Sequence, residues 1–105
     1  MGQLTEGSIE QEIKNRNLTW PRVTPEHVDS LIVSEQYHVF PGTVLTVCAL
    51  TLQNGYTVIG ESAPASPEDF DEGIGRIIAR DNARSKIWAL EGYALRNFCR
   101  GLQHN

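Results

Sequence analysis

A chain of 105 residues, 40% hydrophobic and 21% charged, is one domain's worth of globular protein, and that composition argues against wholesale disorder. Nine basic and thirteen acidic side chains leave a formal net charge of −4, a poor basis for general nucleic-acid binding, where phosphate contacts dominate affinity. A domain this small buries only a modest core, so oligomerisation is the expected route to further apolar burial.

In chain order, residues 1–8 are polar and slightly acidic with no apolar run behind them, so no secretory signal is expected. Residues 5–15 read as a short helix, because Ile9 and Ile13 fall one turn apart among Glu and Lys. Residues 17–22 read as a loop, with Trp20-Pro21 biased away from helix. Thr24-Pro25-Glu26-His27 starts a second helix: Thr24 caps it, Pro25 suits its first position, and Val28, Leu31 and Ile32 form its buried face.

The pattern changes at Glu35. Tyr37 to Phe40, a Pro41-Gly42 turn and residues 43–52 predict two strands, and Asn54-Gly55 predicts a second hairpin returning through residues 56–62. The longest apolar stretch, residues 44–52, carries Thr46 and Thr51 and is too short to cross a bilayer. Ser66-Pro67-Glu68-Asp69 then opens one long amphipathic helix through about residue 100. Ile74, Ile78, Trp88, Leu95 and Cys99 mark its expected apolar rhythm, with Ser85 and Gly92 between them. A helix of about 50 Å, at roughly 1.5 Å per residue, outruns a small sheet, and part of it is expected to pack on another subunit. Gly73, Gly75 and Gly92 would permit close approach or a kink. The expected architecture is α+β: short N-terminal helices, a three-stranded antiparallel meander and a long C-terminal helix in an oligomer. It forms a single domain over residues 1–105, divided into residues 1–23, 24–62 and 66–101.

Charge is unevenly distributed. Residues 1–75 hold three basic and eleven acidic side chains, whereas residues 76–105 hold six basic and two acidic ones. Arg76, Arg80 and Arg84 recur every fourth residue and form one helical stripe. That stripe reads equally as a solvated face or as a phosphate or carboxylate cradle. Glu72 and Asp81 lie within helical reach and could neutralise part of it. Asn82 reads first as a packed polar residue and second as a base or ribose contact. Phe70, Trp88, Tyr93 and Phe98 read first as core or interface and second as stacking platforms. His27, His38 and His104 make no metal-ligand spacing with Cys48 or Cys99, which are expected as reduced thiols, and no metal or cofactor is expected. No nucleophile elbow is present, Gly73-x-Gly75 is no dinucleotide fingerprint, and helix-start electrostatics accounts for Asp69, Asp71 and Glu72. No enzyme is expected.

Three runs carry a resemblance. They are Thr24-Pro25-Glu26-His27-Val28, then Cys48-Ala49-Leu50-Thr51-Leu52-Gln53-Asn54-Gly55-Tyr56-Thr57-Val58-Ile59-Gly60-Glu61-Ser62, then Asn82-Ala83-Arg84-Ser85-Lys86-Ile87-Trp88-Ala89-Leu90-Glu91-Gly92-Tyr93. Over roughly residues 24–95, with Phe70-Asp71 and Gly75-Arg76 ahead of the last run, the chain resembles a phage-encoded family named after gene product forty-nine of a coliphage. That family is taken to include the first-described type of Thoeris anti-defence proteins. The resemblance implies an oligomeric sponge, a homodimer or a higher form such as a hexamer, in the host cytoplasm during infection. It would sequester glycocyclic ADP-ribose, the cyclic ADP-ribose isomer made by TIR-domain enzymes, without cleaving it, and could hold cyclic oligonucleotides at separate sites. Under that reading Phe70 stacks, Asn82 hydrogen-bonds, and Arg76, Arg80 and Arg96 meet phosphates or rings in a pocket between subunits. The expected partners are the nucleotide and further copies of the chain, with no membrane and no nucleic-acid polymer. The rival reading is a phage-encoded interaction protein whose helix binds a host polypeptide through Trp88, Leu95 and Phe98.

Overall fold

The structure is a computed structural model that describes residues 6–15 and 21–103. Residue 5 of the expected 5–15 helix, residues 17–20 of the expected 17–22 loop, and His104 lie outside the described residues. Along the chain run α1 (Glu6–Asn15), α2 (Pro25–Leu31), β1 (Ile32–Val39), β2 (Thr46–Leu52), β3 (Thr57–Ser62), a 3-10 turn (Pro67–Asp69) and α3 (Glu72–Gln103).

α2 starts as its sequence dictates. The Thr24 hydroxyl accepts the His27 backbone N–H at 3.1 Å, and Pro25 occupies the first turn, where a missing N–H is harmless. Val28 is fully buried on its inner face. The helix passes directly into β1, because Ile32 is already extended.

The three strands form an antiparallel sheet in the order β1-β2-β3. Tyr37 pairs with Cys48, and Cys48 with Gly60, so these residues share the face that α3 covers. Along β2 the alternation is strict: Thr46, Cys48, Leu50 and Leu52 are buried and the residues between them half-buried. Gly42, at φ 77°, turns the chain between β1 and β2. Hydrogen bonds from Leu52 N–H to the Tyr56 carbonyl and from Gly55 N–H to the Leu52 carbonyl, each 2.8 Å, enclose Gln53, Asn54 and Gly55. The second hairpin connection is thus three residues long, with Gly55 at φ 89° supplying its left-handed position.

Two expectations about the long helix are corrected. It does not start at Pro67. Residues 67–69 make a single 3-10 turn, Phe70 is extended, and Asp71 caps α3 by accepting the Ile74 N–H at 2.9 Å. The Ser66 hydroxyl bonds the Glu68 carboxylate and caps no backbone group. Nor do the first two members of the expected apolar rhythm face the core, although Trp88 packs at its edge and Leu95 and Cys99 are half-buried. Ile74 and Ile78 are 58% and 44% exposed, while Gly75, Ala79, Ala83 and Ile87, each one turn apart, are buried.

Close approach is the reason. A Cβ placed on Gly60 of β3 would lie 2.1 Å from the Ala83 backbone nitrogen and 2.2 Å from the Ala79 carbonyl oxygen. Only glycine in the strand and small residues in the helix allow that separation. At Gly75 a Cβ would come within 2.9 Å of the Thr46 hydroxyl, whereas Gly92 faces open space. The core is Val28, Cys48, Leu50, Leu52, Val58, Ala79, Ala83 and Ile87, with Leu31, Tyr37 and Trp88 packed at its edges.

Candidate functional site

The end of β3 and the start of α3 converge on a cleft of about 480 Å³. Phe70 enters it because the 3-10 turn brings the chain back beneath α3. Asn82 enters from α3, two turns beyond Gly75. Asn82 donates one amide N–H to the Glu61 carbonyl at 2.8 Å, which fixes its side chain across the gap that Gly60 keeps narrow. An amide has a second N–H and a carbonyl beyond that bond. Ile74, Ile78 and Gly75 give the cleft an apolar wall, and Ser62, Glu61, Asp69 and Asp71 supply its polar rim. Its charged lining is therefore acidic.

The arginine row lies on the flank of α3 that faces β1 and α2. Arg76 pairs with Glu72 at 2.9 Å and sits 5.2 Å from the centre of the Tyr37 ring. Burial, with smaller contributions from Cys48 and Glu35, pushes Tyr37 up to about 12, so the ring under the guanidinium stays neutral. Arg80 donates to Glu35 at 2.7 Å, and its hydrogen bond holds the Glu35 carboxyl below its ordinary value. Arg84 is held by two carboxylates. It donates to Asp29 at 2.7 Å and to Glu6, and its guanidinium lies 6.0 Å from the centre of the Trp88 ring. The Arg84 hydrogen bond likewise lowers Asp29. Arg84 is thus neutralised from α1 and α2 in the place expected for Asp81.

Of the five candidate residues, the structure brings Phe70 and Asn82 into one cleft. Arg76 and Arg80 lie on another flank, each with a carboxylate partner, and the exposed Arg96 sits four turns beyond Arg80. The carboxylates of the rim, and Ile74 and Ile78 as its walls, carry no spacing signal. β3, the 3-10 turn and α3 meet only through tertiary packing.

A second, more apolar groove of about 450 Å³ lies at the far end of the sheet, between Leu31, Leu52, Tyr56 and Leu90. It carries fewer convergent polar groups, so the Phe70–Asn82 cleft is the better candidate for an oriented ligand. Among the described residues, no three His, Cys, Asp or Glu side chains group to hold a metal, and Cys48 and Cys99 are in no disulfide. No described helix is long and apolar enough to cross a membrane.

The fold defines a small α+β protein, a three-stranded sheet under one long helix. A family model described as Phage protein (N4 Gp49/phage Sf6 gene 66) family matches residues 23–98, and the chain belongs to that family. No curated protein and no solved structure matches it.

Proposed function

We propose that the protein binds glycocyclic ADP-ribose and sequesters it without degrading it, as a phage anti-defence sponge against TIR-domain Thoeris enzymes. The observation that carries the reading is the meeting of Phe70 and Asn82 in one cleft of about 480 Å³, within the range of small-molecule sites. A flat ring and a held amide suit a purine and its ribose. Glu61, Asp69 and Asp71 repel a pyrophosphate, so the base enters the cleft and the phosphates point away from it. Arg76 is the cation of the row most easily recruited, because its pair with Glu72 is half-exposed on both sides and weakly held. The remaining cations come from another copy of the chain, with Arg96 the exposed candidate.

The test incubates the protein with the cyclic nucleotide, separates bound from free, then denatures the protein and examines what is released. The expected result is depletion from solution and recovery of intact nucleotide. Phe70→Ala and Asn82→Ala, each with an unchanged melting temperature, are expected to weaken capture at least about ten-fold. Recovery of a cleaved product would make the protein an enzyme, and failure to deplete the nucleotide would remove the reading altogether. A polypeptide-binding role is the second reading, supported by the exposure of Leu90, Tyr93 and Phe98 along the distal part of α3.

A further inference from the structure

α1 is attached to the protein differently from every other described helix. It is ten residues long with no buried residue, and an isolated helix of that length is marginal in water. Among the described residues, two ion pairs join it to the rest of the fold: Glu6 to Arg84, and Glu10 to Arg22 at 2.6 Å. Ile9 and Ile13 accompany them over Val23 and Trp88, and a groove of about 340 Å³ runs between the two layers. Glu6, Ile9, Glu10 and Ile13 are spaced three and four apart, so one side of the helix makes all of these contacts. The docking is therefore a small amphipathic helix laid in a groove, with arginine on the groove and glutamate on the helix.

The groove is also built to survive the departure of its helix. Arg84 has a side chain only 12% exposed, and losing its partner would ordinarily strand a buried cation. Asp29 prevents this. It belongs to α2, and it holds the same guanidinium through two hydrogen bonds of its own, at 2.7 and 3.3 Å. The Val28, Leu50 and Ile87 core contains no residue of α1.

We propose that α1 is a displaceable strap, docked by the Glu6–Arg84 and Glu10–Arg22 pairs and released as a unit while the sheet and α3 stay folded. Release uncovers Trp88, Val23 and the outer edge of Arg84, an aromatic and basic surface that the docked helix occupies. Because the clamp is charge on charge at a solvent boundary, salt weakens it, as the screening length falls from about 10 Å at 0.1 M to about 3 Å at 1 M.

The test uses the full chain with Trp20→Phe, which leaves Trp88 as the reporting fluorophore. Three quantities are followed: tryptic cleavage after Lys14, normalised to trypsin acting on a small amide substrate; the Trp88 emission wavelength; and the thermal midpoint of the sheet. The Glu6→Gln, Glu10→Gln double variant is expected to be cleaved after Lys14 at least about ten-fold faster, with red-shifted emission and a midpoint within a few degrees of the parent. Raising NaCl from about 0.05 M to about 1 M should reproduce both changes in the parent and add little in the double variant. The proposal is overturned if cleavage and emission respond neither to the substitutions nor to salt. It is equally overturned if α1 loses protection only when the sheet melts, or if the double variant fails to fold.

Discussion

From Gly75 to Ala83 the side of α3 that faces the sheet is built of glycine and alanine, with the large Ile87 following them inward. Other isoleucines, a leucine and aromatic rings lie exposed elsewhere on it. Gly75, Ala79 and Ala83 are buried, yet Ile74 and Ile77 are 58% and 70% exposed and Tyr93 is 73% exposed. An ordinary surface helix places its large apolar side chains inward. Here the size order is reversed, because the separation of backbones at Gly60 is set too short for a large side chain. The comparison separates two roles that hydrophobic patterning usually merges: fitting the core, and offering apolar surface to something else.

The largest effect is expected where strand and helix come closest. Gly60→Ala puts a Cβ about 2 Å from backbone atoms of Ala79 and Ala83, which cannot swing aside as a flexible side chain can. The expected cost is about 3 kcal/mol or more, read as a fall in the urea midpoint, with the Asn82 to Glu61 bond lost as α3 is displaced. Full stability in that variant would mean that the strand and helix are not in the contact described.

Why the sequence conveys the sheet better than the helix face follows from the same geometry. The meander, the α2 cap and the Gly55 turn are local features, carried by alternation, Thr24-Pro25 and Asn54-Gly55. The buried stripe of α3 is not local. Reading Ile74 and Ile78 as inward follows the usual rule, and only the glycine in β3, some twenty residues earlier, reverses it. The site divides in the same way. Phe70 and Asn82 were legible as a ring and an amide, but their meeting depends on the Asp71 cap and the break at Phe70. The arginine stripe was legible as a stripe, yet its partners Glu35 and Asp29 come from β1 and α2, beyond the reach of helical spacing.

Those partners give the next prediction, of intermediate size. Asp29 and Glu35 titrate below their ordinary values of 3.8 and 4.5, chiefly through hydrogen bonds from Arg84 and Arg80. Lowered carboxylates stabilise the fold fully above their unfolded values, and that contribution is lost as pH falls through the lower folded values. The urea midpoint should therefore be level above about pH 5 from these two groups and decline below it. Asp29→Asn and Glu35→Gln should lower the neutral-pH plateau and flatten the decline. A decline of unchanged steepness in both variants would show that the polar flank of α3 does not anchor it to β1 and α2.

The outward residues give the smallest effect on the folded chain and the sharpest test of what that surface is for. Ile77→Ser and Tyr93→Ser, made singly, remove exposed apolar area from a side chain that the core does not use. The folding free energy of an isolated chain should change by no more than about 0.5 kcal/mol. If copies of the chain pack along α3, the parent has a mass above that of one chain by light scattering, and a thermal midpoint that rises with protein concentration. In that case either substitution lowers the mass and removes the concentration dependence, although it leaves the core untouched. A parent that stays monomeric at every concentration, with variants indistinguishable from it, would assign the outward rings to solvent or to a different partner. The sheet-facing row of Gly75, Ala79, Ala83 and Ile87, with the arginine flank beside it, would then account for the packing of α3 within one chain. The cations that the proposed nucleotide would need beside the Phe70–Asn82 cleft would have to come from Arg76 alone, a single half-exposed guanidinium. The proposed nucleotide capture therefore requires assembly: if both hold, a variant that dissociates the oligomer should also weaken capture, with Phe70 and Asn82 unaltered.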